Sequence, residues 1–382
     1  MKILVTTPTY PPYNSGLGNA VQQQVIALAA RGHSVTVATG GAQKARRQDP
    51  DSGAAVEEFA VSGSDSILQP LRGDVQAYQK FLRDADFDVI LLNAWQTWST
   101  DVPLTILPSI RGRKFLYSNC VSTNLFLCRQ PVRSALRHLA WRPYMRRMPD
   151  RMRSLDGLIF VADEGCDTRF DDLRLARKIG KPFAVIPNAF SRLCLPLAES
   201  SCASPEGRNQ LIAVGSYDWF KGHDFALRAY AGSEAKTRVP LHIHGPRFTD
   251  FTNHLRRLAT ELGLEAGQVV FHENTPKDSL LEEYGRSLAM ISGSHTECQP
   301  LVLLDAMAKG TPFVARACGC IPRLPGGRGV RSEREASRAL DAIVHDPQEW
   351  EKLSGEGLRA AASTYHPDVV GGQLAEFLAQ RP

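Results

Sequence analysis

No stretch of the 382-residue chain approaches the roughly 18 consecutive apolar residues needed to cross a bilayer. The opening Met1-Lys2-Ile3-Leu4-Val5 runs at once into Thr6-Thr7-Pro8, too short an apolar run for a signal peptide, so a cytoplasmic location is expected. Metal-type cysteine spacing is missing as well. The eight cysteines, at 120, 128, 166, 194, 202, 298, 318 and 320, form no C-x-x-C pair and have no histidine spaced to complete a zinc site. Reduced thiols are the expectation for a cytosolic chain, with Cys318-Gly319-Cys320 an incidental close pair. Charge of one sign is not in large excess: 45 Lys and Arg against 40 Asp and Glu leave +5, which matters only where it is concentrated. With 43% hydrophobic and 22% charged residues the chain is neither disordered nor fibrous, and its length allows two or three domains.

What is present is an alternation of two periodicities. Short continuous β-branched runs recur at Lys2 to Thr6, Ser34 to Ala38, Val89 to Leu92, Lys114 to Tyr117, Leu158 to Val161 and Phe183 to Ile186. Such runs suit parallel strands buried on both faces. Between the first two, Val21, Val25, Leu28 and Ala29 share one helical face, and Gly32 sits at the C-cap position, completing a βαβ unit. After Pro187-Asn188 the pattern stops, and Ser191 to Asn209 reads as a linker rich in Ser, Pro and Glu. It restarts with strands at Leu211 to Val214, Leu241 to His244, Val269 to Phe271, Leu288 to Ile291 and Pro312 to Ala315, separated by helices at Asp224 to Ala231, Asn253 to Leu262, Lys277 to Ser287 and Pro300 to Lys309. The order predicts an α/β fold of two tandem Rossmann-like, doubly wound domains facing a central cleft, the default ligand site of such sheets. The expected boundaries are 1–190, a linker 191–209, 210–360, and a C-terminal helix over 361–382 that packs back on the first domain.

Four motifs carry candidate chemistry. Ser15-Gly16-Leu17-Gly18 lies between the first strand and helix, where glycines let backbone amides approach an anion or a sugar; a plain flexible loop is the alternative. It fails as a dinucleotide fingerprint, because Val21 stands where the third glycine belongs. Asp84-Ala85-Asp86-Phe87-Asp88 contains overlapping D-x-D triplets of the kind that hold divalent ions, but Asp88 precedes a strand, at the sheet edge away from ligand, so a solvated turn is expected and no metal. Lys221, in Gly215-Ser216-Tyr217-Asp218-Trp219-Phe220-Lys221-Gly222, sits on the ligand side of the second half and can neutralise a diphosphate. In His295 to Pro312, Pro300 suits a helix N1 and Gly310 its C′, so the free amides of that helix face the ligand edge beside Glu297, with Asp305 about 7 Å farther down the axis.

The stretch from Glu297 to Asp305, continued by Ala306-Met307-Ala308-Lys309-Gly310-Thr311-Pro312, resembles the E-x7-E motif of retaining GT-B glycosyltransferases of family 4. Ser15 to Gly18 resembles that family's glycine-rich loop, Arg31-Gly32-His33-Ser34-Val35-Thr36-Val37 the strand after its first helix, Val185-Ile186-Pro187-Asn188 the end of its N-terminal domain, and Val214-Gly215 with Lys221-Gly222 its donor-site opening. The resemblance implies a nucleotide sugar on the C-terminal domain and an acceptor on the N-terminal one. Glu297 would contact the donor sugar, Asp305 the ribose and Lys221 the diphosphate, with donor contacts also from Gly215, Ser216, Cys298, Gln299 and Leu301. Glu297 and Lys221 are the implied catalytic residues, and Ser15, Gly16, Leu17 and Gly18 form the acceptor or phosphate loop. Three positions depart from the family pattern: Ser216 stands for an arginine, Asp305 for a glutamate, and Ser118-Asn119-Cys120 for a region that commonly holds a histidine.

The positive charge is concentrated in Arg129, Arg133, Arg137, Arg142, Arg146, Arg147, Arg151 and Arg153, interrupted by one acid, Asp150. Val132, Ala135, Leu136 and Leu139 form one stripe there, and the segment reads as an interfacial helix on an anionic membrane, with Arg129, Arg133, Arg137, Trp141, Arg146 and Arg147 facing the headgroups. A solvated face or a polyanionic acceptor are the alternatives; nucleic acid is not expected, since no binding module is present. The combined expectation is a metal-independent, retaining hexosyltransferase without cofactor, peripheral on the inner face of a membrane. It would use a nucleotide sugar of unknown base and a glycan or lipid-linked acceptor in envelope polysaccharide or lipopolysaccharide synthesis. The rivals are a non-catalytic nucleotide-sugar-binding regulator and a GT-B-like isomerase or phosphorylase.

Overall fold

The computed structural model describes residues 1–13, 15–121, 131–197 and 204–380. The chain divides into two compact units, residues 1–188 with 367–382 and residues 189–366.

The first unit runs β1 (Lys2–Thr6), α1 (Gly16–Ala29), β2 (Ser34–Gly40), β3 (Ala45–Gln48), β4 (Ala55–Phe59), β5 (Val61–Ser62), β6 (Arg72–Gly73), α2 (Val75–Asp84), β7 (Val89–Asn93), α3 (Trp98–Thr105), β8 (Arg113–Ser118), α4 (Pro131–Arg153), β9 (Gly157–Phe160), α5 (Asp171–Lys178) and β10 (Phe183–Val185). Its main sheet has the order β10-β9-β8-β7-β1-β2-β4-β3, parallel throughout except for β3. The central strands are apolar on both faces because both faces are covered: every residue of β7 is buried. The expected runs all form strands, whereas β3 and β4 were not anticipated. Their sequences, Ala-Arg-Arg-Gln at the sheet edge and Ala-Val-Glu-Glu-Phe beside it, are joined by an Arg47–Glu58 ion pair at 2.8 Å and carry no continuous apolar signal.

The second unit runs β11 (Gln210–Val214), α6 (His223–Ala231), β12 (Leu241–Gly245), α7 (Asp250–Glu261), β13 (Val269–Glu273), α8 (Lys277–Arg286), β14 (Ser287–Ser292), α9 (Leu301–Ala308), β15 (Phe313–Arg316), β16 (Gly327–Val330), α10 (Glu333–His345) and α11 (Pro347–Ser363). Its sheet is wholly parallel in the order β13-β12-β11-β14-β15-β16. The two sheets, each accompanied by helices, are the two tandem Rossmann-like domains expected. Residues 191–197 and 204–209, read as linker from their composition, belong to this second unit, which begins at Ala189. Arg208 shows why: its guanidinium donates to the carbonyls of Ser287 (2.8 Å) and Lys309 (3.0 Å) and to Thr311 Oγ1 (2.8 Å), while lying 4.8 Å over the Trp350 ring.

The last helix, α12 (Pro367–Ala379), returns to the first unit and packs on α1. Gly371 permits the approach, since a Cβ there would lie 2.4 Å from that of Ala27. Arg31 donates to the Asp368 carbonyl at 2.5 Å, and Phe377 meets Phe115 edge-on at 5.6 Å.

Candidate functional site

In the second unit the loop after β11 is shaped by its own side chains. Asp218 caps the short turn Trp219–Lys221, its carboxylate accepting from the amides of Phe220 (2.9 Å) and Lys221 (3.3 Å). Ser216 Oγ donates to the other oxygen of Asp218, so the residue standing for an arginine serves the loop's own geometry. Gly222 then takes φ +62°, a left-handed conformation that favours glycine, and α6 begins at His223. His223 is buried and held neutral by burial, its Nε2 lying 3.2 Å from the Gly215 carbonyl.

The loop after β14 meets this turn backbone to backbone. A Cβ on Gly222 would lie 2.0 Å from the Gly293 carbonyl oxygen, and a Cβ on Gly293 would lie 2.0 Å from that of Gly222. His295 N–H donates to the Phe220 carbonyl at 2.8 Å. This contact brings the Lys221 ammonium to 2.8 Å from Glu297 Oε1, with side-chain exposures of 36% and 15%. Gly319 supports the acid from behind, since its Cβ would lie 2.0 Å from the Glu297 carbonyl oxygen.

The helix after Glu297 starts one residue later than expected. Pro300 is its N-cap with ψ 119°, an extended value, so Leu301 and not Pro300 is the first helical residue; Gly310 at φ +65° follows its end. Cys298, Gln299 and Leu301 therefore occupy the segment entering α9, with Gln299 buried. Asp305 Oδ1 accepts from the Ser191 amide at 2.7 Å and lies 3.8 Å from Cys194 Sγ, holding the segment read as linker. Burial pushes its carboxyl up to about 6 despite the Ser191 N–H and the charge of Lys277. Arg316 was missed by the sequence reading. It ends β15, places Nη1 3.2 Å from His295 Nδ1, and stacks 4.4 Å over the Phe225 ring. Its signal was position alone, at the carboxyl end of a parallel strand.

In the first unit Ser15 is the N-cap of α1: its Oγ accepts from the Gly18 amide at 2.9 Å and lies 2.7 Å from Thr9 Oγ1. Gly18 has no room for a side chain, with Thr9 O 2.9 Å from its would-be Cβ, whereas Gly16 faces open space. Leu17 lies between them in the first turn of α1. The aspartates at 84 to 88 serve the fold: Asp84 pairs with Lys80 at 2.6 Å, Asp86 with Lys2 at 3.7 Å, and Asp88 accepts from the Lys2 amide at 2.7 Å.

The basic segment forms α4, and one of its expected surface residues is corrected. Trp141 is 6% exposed, edge-on to Tyr144 at 5.4 Å, because the inner face of α4 is a core face. Arg147 stays exposed while pairing with Asp65 at 2.9 Å. Arg133 and Arg146 are exposed and Arg137 half-buried, while Arg129 lies outside the described residues. Val132, Leu136 and Leu139 stand 71, 63 and 62% exposed. Among the described residues no helix is long and apolar enough to cross a membrane. Cys166, Cys194, Cys318 and Cys320 carry free thiols, whereas Cys120 and Cys298 are disulfide-bonded and depart from the reading of reduced cysteines.

Two family descriptions match the chain: Glycosyl transferase 4-like domain over residues 15–161 and Glycosyl transferases group 1 over residues 199–354. A D-inositol 3-phosphate glycosyltransferase of Acidothermus cellulolyticus is 32% identical over 181 residues, covering 44% of this chain and 37% of the relative. The chain thus matches less than half the length of that curated relative. Among solved structures, sucrose-phosphate synthase from Thermosynechococcus elongatus superposes with a TM-score of 0.76 at 18% identity, covering 98% of both chains. HepE of Anabaena, solved with UDP and glucose, gives 0.67 at 16% identity over 99% of both. These structural likenesses establish the fold.

The glycine contact yields a test of the site's construction. Gly293→Ala is expected to cost about 1 to 3 kcal/mol in urea unfolding, because backbone and not a flexible side chain must move. Gly285→Ala, where a Cβ meets nothing within 4 Å inside α8, should be neutral or stabilising by up to about 1 kcal/mol. Equal midpoints for the two variants would show that the loops do not depend on the contact.

Proposed function

We propose, from the premise that the chain is a GT-B glycosyltransferase built of the two matched domains, that it moves a hexose-type sugar from a nucleotide sugar to an acceptor hydroxyl with retention of anomeric configuration and without a metal. The observation that carries the reading is the Lys221–Glu297 pair at 2.8 Å, set at the carboxyl edge of a parallel sheet beside the start of α9. An ammonium has three N–H donors. One is satisfied by Glu297, and the remainder are available to the oxygens of a diphosphate. As the nucleoside diphosphate departs, negative charge grows on its terminal phosphate, and Lys221 with the amides entering α9 stabilises it electrostatically. Glu297 holds both the lysine and the hydroxyls of the donor sugar. The acceptor proton passes to the leaving phosphate, so the reaction needs no separate base. Arg316, tied to the same turn through His295, supplies the second cation where Ser216 replaces an arginine.

The Anabaena structure with UDP and glucose supports a uridine donor as the first to test. The acceptor is a polyol phosphate, glycan or lipid-linked saccharide. The inositol phosphate relative favours the first and the exposed face of α4 the last, as part of envelope glycan synthesis at an anionic membrane.

Lys221→Ala should weaken UDP binding by about 1.5 to 3 kcal/mol, roughly ten- to a hundredfold, and leave uridine binding unchanged. Glu297→Gln should lower transfer from a labelled nucleotide sugar by about two orders of magnitude, with full wild-type activity in excess EDTA. Equal loss of UDP and uridine would remove Lys221 from the diphosphate, and a wild type that binds but never transfers would favour the regulator instead.

Asp305 gives the reading a pH signature. Below about 6 its carboxyl is protonated and accepts fewer hydrogen bonds, so affinity for a nucleotide sugar should fall as pH drops through that value. Asp305→Asn should bind more weakly at pH 7.5 and lose the pH dependence; a wild-type profile in this variant would remove Asp305 from the ribose.

Each exposed arginine of α4 contributes on the order of 1 kcal/mol at an anionic surface, so binding should be reversible and salt-sensitive. The protein should sediment with anionic vesicles and much less with neutral ones, and Leu136→Ser with Leu139→Ser should release it. A wild type that stays in the supernatant at low salt overturns the membrane assignment.

A further inference from the structure

The second unit contains a cluster of three histidines that the donor chemistry does not use. His242 and His244 alternate along β12 with Leu241 and Ile243, which lie in the unit's hydrophobic core, so both imidazoles face the opposite side of the sheet. On β13, His272 pairs in register with His244 and follows Phe271, which packs against that same core, so it shares their face. The rings of His244 and His272 stack at 4.2 Å, and His272 Nε2 lies 3.0 Å from His242 Nδ1.

One ring nitrogen from each lies within 4.8 Å of those of the other two. Around a tetrahedral ion with bonds of about 2.0 to 2.1 Å, ligand nitrogens stand roughly 3.3 Å apart, so the trio needs only small ring rotations to converge. His χ2 is soft enough to provide them. His244 supplies the more specific observation. It is 3% exposed, its Nδ1 is 2.9 Å from Thr275 Oγ1, and its buried Nε2 has no hydrogen-bond partner. A metal-bound histidine characteristically donates its other ring N–H to an oxygen, which fixes the tautomer and leaves a lone pair on the liganding nitrogen. The Thr275 contact sets up that arrangement, and an unpartnered buried nitrogen is otherwise costly. Burial keeps all three imidazoles uncharged near neutrality, and the carboxylate of Glu283 on α8 adds an attractive field at His242 and His272.

We propose that His242, His244 and His272 form a three-histidine site for a divalent transition-metal ion of the zinc type, with water completing the tetrahedron. Its role is structural. β13 is the edge strand of the sheet and its side chains are only half-buried, so an ion shared with β12 clips the weakest strand to its neighbour.

The test uses the full-length protein with any tag removed, stripped by chelator and titrated with Zn²⁺ against a chromophoric competitor. One equivalent should bind, the thermal midpoint should rise, and Co²⁺ loading should give visible d–d bands without sulfur-to-metal charge transfer. His242→Ala and His272→Gln should each raise Kd by at least about tenfold, whereas Cys166→Ser should leave it unchanged. If neither histidine variant folds, the ring-nitrogen resonances of the wild type decide: three of the ten histidines should shift on adding Zn²⁺. No bound equivalent, wild-type affinity in a folded histidine variant, or loss of binding in Cys166→Ser each overturns the site.

Discussion

Gly222 and Gly293 touch through their backbones, and neither has room for a single added carbon. Seventy-one residues apart, they lie in the loops that follow β11 and β14, which are neighbours in the sheet. Their contact makes two separate loops one surface. Once Gly222 has closed the turn capped by Asp218 and Gly293 has laid the next loop against it, Lys221 and Glu297 have little freedom but to meet. The pairing of a cation and an acid at this edge thus follows from close backbone packing more than from attraction between partly exposed charges, which contributes little on its own.

That constraint separates what the sequence discloses from what it hides. Buried parallel strands announce themselves as continuous apolar runs, so the order of elements and hence the doubly wound fold are legible. The same signal is silent for the edge strand β3 and its neighbour β4, both rich in charged residues, and for β16, whose Gly-Arg-Gly-Val holds two glycines. In the site, Lys221 and Glu297 could be singled out by position and by resemblance. Their closeness could not, because it depends on a contact between two glycines far apart in the chain. Asp305 was legible as an acid one turn into a helix, but its grip on the Ser191 amide was not, since composition alone marked that segment as linker.

The position where serine stands for an arginine of the resembled pattern is built into its own loop. Ser216 does not leave a gap: its hydroxyl braces Asp218, whose carboxylate in turn fixes the amide of Lys221. The hydroxyl at this position thus acts through Asp218 on the placement of the lysine. The guanidinium of Arg316, held over Phe225 and beside His295, lies on the next strand but one and reaches the same loop pair from the other side of Glu297 in sequence.

The two faces of α4 argue in a similar way about the surface of the first unit. Its inner face is fixed several times over: Trp141, Tyr144, Met148 and Met152 are buried, and Tyr144 donates to Asp101 at 2.6 Å. Asp101 is itself a buried acid pushed up to about 6 by desolvation, and Arg151 lies 3.9 Å from it and 4.5 Å over the Tyr144 ring. Folding therefore has no need of Val132, Leu136 and Leu139, which belong to the opposite face and the first half of the helix. Three large aliphatic side chains left in water beside Arg133 gain nothing from the fold of this unit, and their burial elsewhere would recover roughly 1.5 to 3 kcal/mol each. The membrane contact proposed for this helix rests on that apolar stripe and the arginine at its edge.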